Sequence, residues 1–314
     1  MAQTWTPADI PDLSGRVFVV TGATSGLGLA NAAQLARHGG QVVVTGRNPD
    51  RLRSAWEEVS AASQGPQPDQ VLLDLADLSS VRTAAAEITA LHDTIHVLIN
   101  NAGIMAPPLS RTVDDFESQI GTNHLGHFAL TGLLLPAMPT ADEAADARVV
   151  TVASGAHRMG KVDLDDLNYR NRRYESWQAY GQTKLANLLF TRELSRRASL
   201  AGLKLKAVAA HPGWSATNLQ YAGPAMAQNV VGRTITRTVN AVVGQSAEAG
   251  SWPQVRAATD PTAETGQYYG PDGFMEMRGK PVIVQPNKAA QDDVTAAGLW
   301  DLSEELTDVH FLDE

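Results

Sequence analysis

Short apolar runs alternate with segments of helical spacing over roughly the first 100 residues, the pattern of repeated strand–helix–strand units. The runs are RVFVVT (Arg16–Thr21), QVVVT (Gln41–Thr45), QVLLD (Gln70–Asp74) and IHVLIN (Ile95–Asn100). Runs apolar along their whole length expect burial on both faces, as in a parallel sheet covered by helices. Between them, Leu27–His38, Pro49–Ala61 and Ser79–Leu91 carry helical spacing, and Asn48-Pro49 supplies a capping side chain followed by a proline at the first helical position. Further on, the pattern predicts a long helix over Asp114–Met138, a strand at Arg148–Val152, a helix over Trp177–Ser199 and a strand at Lys204–His211. It then predicts a helix over Ala247–Ala258, a short strand at Gly266–Gly270 and a terminal helix over Asp292–Thr307, while Asn218–Gly244 resists assignment. Without a repeat, a low-complexity tract or a linker, the expectation is an α/β fold: a single doubly wound parallel sheet of Rossmann type with helices on both faces. One domain would then span residues 1–314, with a dinucleotide-binding part over about 15–150 and a catalytic and substrate part over about 150–314.

Charge and composition narrow the function classes. With 25 Lys plus Arg against 34 Asp plus Glu, the net charge of -9 argues against a nucleic-acid surface and against adsorption to an anionic membrane. The chain has no cysteine, which removes disulfides, thiolate catalysis and Cys-ligated zinc. No stretch of about 18 apolar residues occurs and the polar, proline-punctuated start lacks a signal pattern, so the expectation is a cytoplasmic soluble protein.

The first run leads straight into TGATSGLG, Thr21 to Gly28. Gly22, Gly26 and Gly28 let a backbone turn tightly, approach a pyrophosphate and pack the next helix on the strand, and Thr24, Ser25 and Leu27 line the same turn. The helix that follows offers unpaired N–H groups and a positive dipole end to phosphates. A strand before and a helix after are the context that raises such a loop above an ordinary βα turn.

The spacing TGxxxGxG resembles the short-chain dehydrogenase/reductase family, and the resemblance runs from about Gly15 to Pro281. Asn100-Asn101-Ala102-Gly103 resembles that family's NNAG motif on the adenine-ribose side, and Asp74-Leu75 its adenine-contacting pair. Pro212-Gly213-Trp214-Ser215-Ala216-Thr217 is similar to its PGxxxT segment, which implies Pro212, Gly213, Ser215 and Thr217 beside the nicotinamide carboxamide.

Tyr180 and Lys184 form YxxxK, and side chains four apart on a helix share a face. An ammonium beside a phenol favours the phenolate, so Lys184 is expected to pull Tyr180 down toward working pH, as a general acid/base for carbonyl–alcohol interconversion requires. The resemblance further implies that Ser154 bonds the substrate oxygen, that the backbone of Asn123 holds a water toward the lysine, and that Lys184 binds the nicotinamide ribose as well. At the end of the second strand an NAD enzyme places an acidic residue, whereas this chain has Gly46 and Arg47. Glycine would leave room for a 2′-phosphate, and Arg47, with Asn48 next to it, would hold that phosphate, so NADP(H) is the expected cofactor. Asp50 lies close enough in sequence to occupy Arg47 in a local ion pair instead.

No metal site is expected: His124 and His127 lack a third ligand and read as core or hydrogen-bonding histidines. His157 is open between the substrate and a loop hydrogen bond, and His211 reads as structural. Tyr169, Tyr174 and Trp177 are open between core packing and a pocket wall. The segment Gly160–Tyr180, with NHLGHFALT (Asn123–Thr131), resembles the retinol-dehydrogenase-like and protochlorophyllide-reductase-like branch, and the lack of cysteine sets the light-driven activity aside. The branch implies a small-molecule alcohol or carbonyl substrate of lipophilic character, and Asn218–Gly244, at the place of the family's lid, is open between closing an apolar pocket and forming a surface helix. The oligomeric state is left open, homo-oligomer included. The competing readings are a non-catalytic NADP(H)-binding regulatory protein and a same-fold epimerase without net redox.

Overall fold

The computed structural model describes residues 5–142, 145–213 and 245–313. Its first half runs β1 (Val17–Val20), α1 (Gly26–Arg37), β2 (Gln41–Gly46), α2 (Pro49–Ala62), β3 (Asp69–Leu72), α3 (Leu78–Leu91) and β4 (Val97–Asn100). The chain continues through a helical stretch made of α4 (Ser118–Ile120), a π-helical turn (Gly121–Leu125) and α5 (Gly126–Leu134). Then come β5 (Ala147–Val152), α6 (Ser176–Leu200), β6 (Leu205–Ala210), α7 (Ala247–Thr259), β7 (Tyr268–Pro271), β8 (Pro281–Ile283) and α8 (Asp293–Thr307). The strands form one eight-stranded sheet in the order β3-β2-β1-β4-β5-β6-β7-β8. Neighbours are parallel throughout except β7 and β8, which run antiparallel.

Alternation along each strand divides the core into two layers, as a sheet buried on both faces must. Val19, Val43, Leu98 and Val149 face a layer with Phe128, Phe190 and Trp300, whereas Phe18, Val42, Ile99 and Val150 face a layer with Leu35, Leu52 and Val255. Helices therefore cover both faces, which is the doubly wound architecture the apolar runs predict. Strand order reverses between β1 and β4, and the crevice beyond their C-terminal ends is where this architecture binds ligands.

At the opposite end of the sheet, Asp146 holds three cations: Arg16 at 3.1 Å, Lys206 at 2.8 Å and the fully buried Arg148. Arg148 also donates to the carbonyl oxygens of Ala257 and Asp260, both at 2.9 Å, which ties β5 to α7.

Three features depart from the sequence pattern. The helix expected from Asp114 begins only at Ser118, because Asp115 turns with φ 64° and Arg111 bridges to Glu117 ahead of it. The π turn interrupts that helix, a change of hydrogen-bond register that hydrophobic spacing does not report. The antiparallel edge strand β8 is too short, at three residues, to show a period. The proposed lid, Asn218–Gly244, lies outside the described residues.

Candidate active site

The turn after β1 is compact because two of its glycines have no room for a side chain. Gly22 has φ 64°, and a Cβ there would meet the Cβ of Ala102 at 2.8 Å. A Cβ on Gly28 would stand 2.4 Å from the Gly22 carbonyl oxygen. Ser25 precedes α1 without capping it through its side chain, so the first-turn N–H groups of Gly26, Leu27 and Gly28 have no hydroxyl on them. That is the polar cradle a phosphate needs.

Thr21 stitches this turn to the loop after β4. Its hydroxyl oxygen accepts the N–H groups of Asn101 and Ala102, both at 2.9 Å, and its carbonyl accepts Asn101 Nδ2 at 2.8 Å. His127 Nε2 lies 2.8 Å from the same hydroxyl, and His127 Nδ1 lies 3.1 Å from the Asn123 carbonyl oxygen. A carbonyl can only accept, so the Nδ1–H form is the one present and Thr21 donates to Nε2. Burial pushes His127 down to about 4, which keeps the ring neutral.

Asn123 joins the β4 loop to α6. Its side chain pairs both ways with the Ile104 backbone, at 2.8 and 2.9 Å, and its Nδ2 donates to Thr183 Oγ1 at 3.0 Å. Thr183 donates in turn to the Tyr180 carbonyl at 2.9 Å. Lys184 Nζ and Asn187 Nδ2 both donate to the Val152 carbonyl, at 3.1 and 3.0 Å, at the end of β5. Lys184 Nζ lies 5.6 Å from the centre of the Tyr180 ring, and a Cβ on Gly103 would come within 3.7 Å of Lys184 Nζ. Two residues past Val152, Ser154 caps the short 3-10 helix Gly155–Met159, its hydroxyl accepting Ala156 N–H at 3.2 Å. The structure thus brings Asn123, Ser154, Tyr180, Lys184 and Gly103 together at the C-terminal ends of β4 and β5.

The electrostatics differ from expectation at Tyr180. Burial pushes its phenol up to about 12, and the group that pulls it down is the Ser154 hydroxyl rather than Lys184. Lys184 is itself pushed down to about 8 by burial, since no carboxylate compensates the lost hydration.

At the end of β2, Gly46 is buried and Arg47 exposed. A Cβ on Gly46 would strike the Thr24 methyl at 2.2 Å, so the missing side chain at the end of β2 makes room for the glycine-rich turn. Among the described residues Arg47 has no hydrogen-bond or ion-pair partner, Asp50 included. Asn48 caps α2 by accepting Arg51 N–H at 3.0 Å. Asp74 is half-buried and turns one carboxylate oxygen to Ala76 N–H at 3.0 Å, while Leu75 is packed into the core. Pro212 and Gly213 follow β6, with the Pro212 carbonyl accepting Gln245 Nε2 at 2.6 Å; Ser215 and Thr217 lie outside the described residues.

The remaining candidates sort clearly. His124 is fully buried against Ser303 Oγ at 2.9 Å, and burial pushes it to about 3. His157 lies 2.6 Å from the Ser154 carbonyl through Nδ1, a loop hydrogen bond. Tyr169 packs edge-on to Tyr174 at 5.2 Å and under Arg172, whereas Trp177 is 40% exposed and stands edge-on to Tyr180 at 6.1 Å. The contributions of Thr21, Thr183 and Asn187 are absent from the sequence reading; only the place of Thr21 in TGATSGLG, of Thr183 within YxxxK and of Asn187 just after it signals them.

Residues 16–227 match the family model described as short chain dehydrogenase. The chain belongs to the short-chain dehydrogenase family. Among its relatives, human retinol dehydrogenase 13 is 35% identical over 295 residues, covering 92% of this chain and 83% of that one. Polyprenol dehydrogenase of Mus musculus is 39% identical over 296 residues, covering 93% and 85%. A solved structure of an uncharacterized protein from Mycobacterium paratuberculosis is 43% identical, with a TM-score of 0.80 over 98% of this chain and 99% of that one. As a short-chain dehydrogenase of the retinol-dehydrogenase-like branch, the protein is an enzyme, an oxidoreductase that works with a nicotinamide cofactor. Among the described residues no helix is long and apolar enough to cross a membrane.

Proposed function

We propose that this short-chain dehydrogenase interconverts a lipophilic alcohol with its aldehyde or ketone using NADP(H), with Tyr180 as the general acid/base. The observation that carries the reading is the convergence of Tyr180, Lys184, Ser154 and Asn123 on the ends of β4 and β5, beside a loop whose glycines let β1, α1 and the β4 loop close on one another. All of this would belong to one domain over residues 1–314.

A bound nicotinamide supplies or accepts the hydride. The protein's own groups manage the oxygen and its proton. The Ser154 hydroxyl, held at the start of its 3-10 helix, opposes the burial that raises the neighbouring phenol in the free enzyme, and would turn its one proton to the substrate oxygen on binding. In the reducing direction Tyr180, a phenol at neutral pH, gives its proton to that oxygen; in the oxidising direction it takes the proton back. Lys184 donates to the Val152 carbonyl, from where its ammonium would reach the nicotinamide ribose. Asn123 fixes the separation of the β4 loop and α6 through Ile104 and Thr183.

Gly22, Thr24, Ser25, Gly26, Leu27 and Gly28 would cradle the pyrophosphate, and Asn101, Ala102, Gly103, Asp74 and Leu75 would line the adenosine side. Arg47, with Asn48, would take the 2′-phosphate; its exposed position without a protein partner among the described residues supports this. A lipophilic substrate is supported by Trp177 and Met159, both exposed and next to Tyr180 and Gly181, and by relatives named for retinol and polyprenol. A screen of lipophilic alcohols and carbonyls with both cofactors, followed by the absorbance of reduced nicotinamide, tests the reading. Turnover with NADP(H) is expected; binding of the nucleotide with no turnover of any compound would leave a regulatory NADP(H)-binding protein in its place.

A further inference from the structure

The turn between β7 and β8, residues 272–280, carries a carboxylate that no sequence motif singled out. Its backbone is closed by Asp272 N–H on the Lys280 carbonyl at 2.9 Å and Gly273 N–H on the Arg278 carbonyl at 3.0 Å. Inside it, Met275 and Glu276 are consecutive non-glycine residues with φ of 51° and 55°. Left-handed backbone at two such residues in succession persists only where the surroundings hold it, and it clusters at functional sites.

What holds it is the Glu276 side chain. Arg158 Nη2 donates to both carboxylate oxygens, at 3.0 and 3.1 Å. His211 Nε2 stands 3.1 Å from Oε2, off the straight line of an ideal hydrogen bond. The other His211 nitrogen, Nδ1, accepts Gly213 N–H at 3.2 Å, so the neutral ring carries its proton on Nε2, the nitrogen facing the carboxylate. His211 and Arg158 hold the Glu276 carboxyl below the usual range against the opposing effect of burial, which keeps it ionised. The fit is close: a Cβ on Gly270 would sit 2.1 Å from His211 Nε2, and one on Gly213 would sit 2.5 Å from the Met277 carbonyl oxygen.

The two partners belong to the two segments that must meet across the reacting atoms. Arg158 lies on the 3-10 helix that Ser154 caps. His211 leads into Pro212-Gly213, and Gln245 braces the same segment by donating to the Pro212 carbonyl at 2.6 Å while its Oε1 accepts Gly279 N–H at 3.4 Å. We propose that Glu276 is a positioning residue: through Arg158 and His211 it sets the spacing between the segment that holds the substrate oxygen and the segment that holds the nicotinamide. This rests on the roles proposed above for Ser154 and for Pro212-Gly213. Misplacing either segment misaligns donor and acceptor carbons, and hydride transfer is sensitive to small displacements.

Calorimetry and kinetics on Glu276→Gln test it, with NADPH and with adenosine 2′,5′-bisphosphate, a fragment without nicotinamide. The fragment is expected to bind as in the wild type, NADPH about tenfold more weakly, and kcat to fall about 10- to 100-fold, the usual range for a residue acting through its neighbours. The deuterium isotope effect with 4-deuterated NADPH should rise as hydride transfer becomes slower. Arg158→Met should reproduce the fall in kcat, and the double variant should lose little more than either alone. Arg158→Met also keeps the test open where Glu276→Gln folds poorly. Normal NADPH affinity, kcat and isotope effect in both variants, with only a lowered melting temperature, would overturn the proposal and leave Glu276 a fastener of the turn. A wild type that binds neither compound would instead overturn the reading of the cofactor site, and the proposal with it.

Discussion

Lys184 Nζ donates to the main-chain carbonyl of Val152 at 3.1 Å, and that contact joins the middle of α6 to the end of β5 two residues before Ser154. Asn187 donates to the same oxygen at 3.0 Å, so the lysine and its helix are anchored together. The ammonium is held in place by the end of that strand, which fixes YxxxK on α6 relative to the serine after β5.

Lys184→Ala should therefore lower both turnover and cofactor affinity, because the side chain proposed to hold the ribose also anchors α6, and Tyr180 with it, on the end of β5. Kinetics and nucleotide titration on the same preparation measure the two effects. Normal NADP(H) affinity in the variant would remove the ribose role.

The proposed preference for NADP(H) rests on Arg47. It is exposed, without a partner among the described residues, at the end of the strand beside the glycine-rich turn. Arg47→Ala should cost roughly 2 kcal/mol against NADP(H), the scale of a hydrogen bond to a charged group, and little against NAD(H). The ratio of kcat/KM values for the two cofactors reads this directly. A wild type preferring NAD(H), or an unchanged ratio in the variant, would contradict it.

Asp146 should be a stability residue rather than a catalytic one. Removing it in Asp146→Ala leaves Arg148 buried without its carboxylate, a loss of about 3 kcal/mol on the scale of a broken buried pair. Arg148, Lys206 and Arg16 hold the Asp146 carboxyl below its ordinary value, so its contribution is complete above about pH 4 and is lost as pH falls through the lower folded value. Denaturant unfolding at neutral pH and below pH 4 separates the variants; equal stability of wild type and Asp146→Ala at neutral pH would refute the role.

Acid should begin to weaken the fold well above the carboxylate range. His124 and His127 are held neutral, at about 3 and about 4, whereas in the unfolded chain each takes a proton near pH 6.5. The unfolded state thus binds more protons below pH 6.5, and stability falls from there toward pH 4, by on the order of 3 kcal/mol for each ring. Urea midpoints measured from pH 7 to pH 4.5 should decline steadily. A flat profile to pH 5 would mean that the rings are accessible to protons in the folded state.

Much of this was legible in the chain alone. Apolar runs with both faces buried gave the parallel strands from β1 to β6, because a sheet covered by helices leaves no polar alternation to confuse the pattern. Motif spacing located Tyr180 and Lys184, the family resemblance pointed to Ser154 and Asn123, and the fold brings the four together. Other features depend on contacts between distant segments. The fit of Gly46 against Thr24, which leaves no room for a side chain there, appears only in the fold. The pull on Tyr180 depended on distances and burial that a spacing of four does not contain, and burial won. Glu276 reaches residues 118 and 65 positions away along the chain, Arg158 and His211, with no local signature to announce it.

The measurement closest to the central claim compares wild type with Tyr180→Phe, using NADPH and a lipophilic aldehyde that the wild type reduces. The substitution keeps the ring against Trp177 and removes only the hydroxyl. Turnover should fall by about 100-fold or more, the usual contribution of a positioned acid/base, while NADPH affinity stays within about twofold of the wild type. Near-normal turnover in Tyr180→Phe would contradict the account.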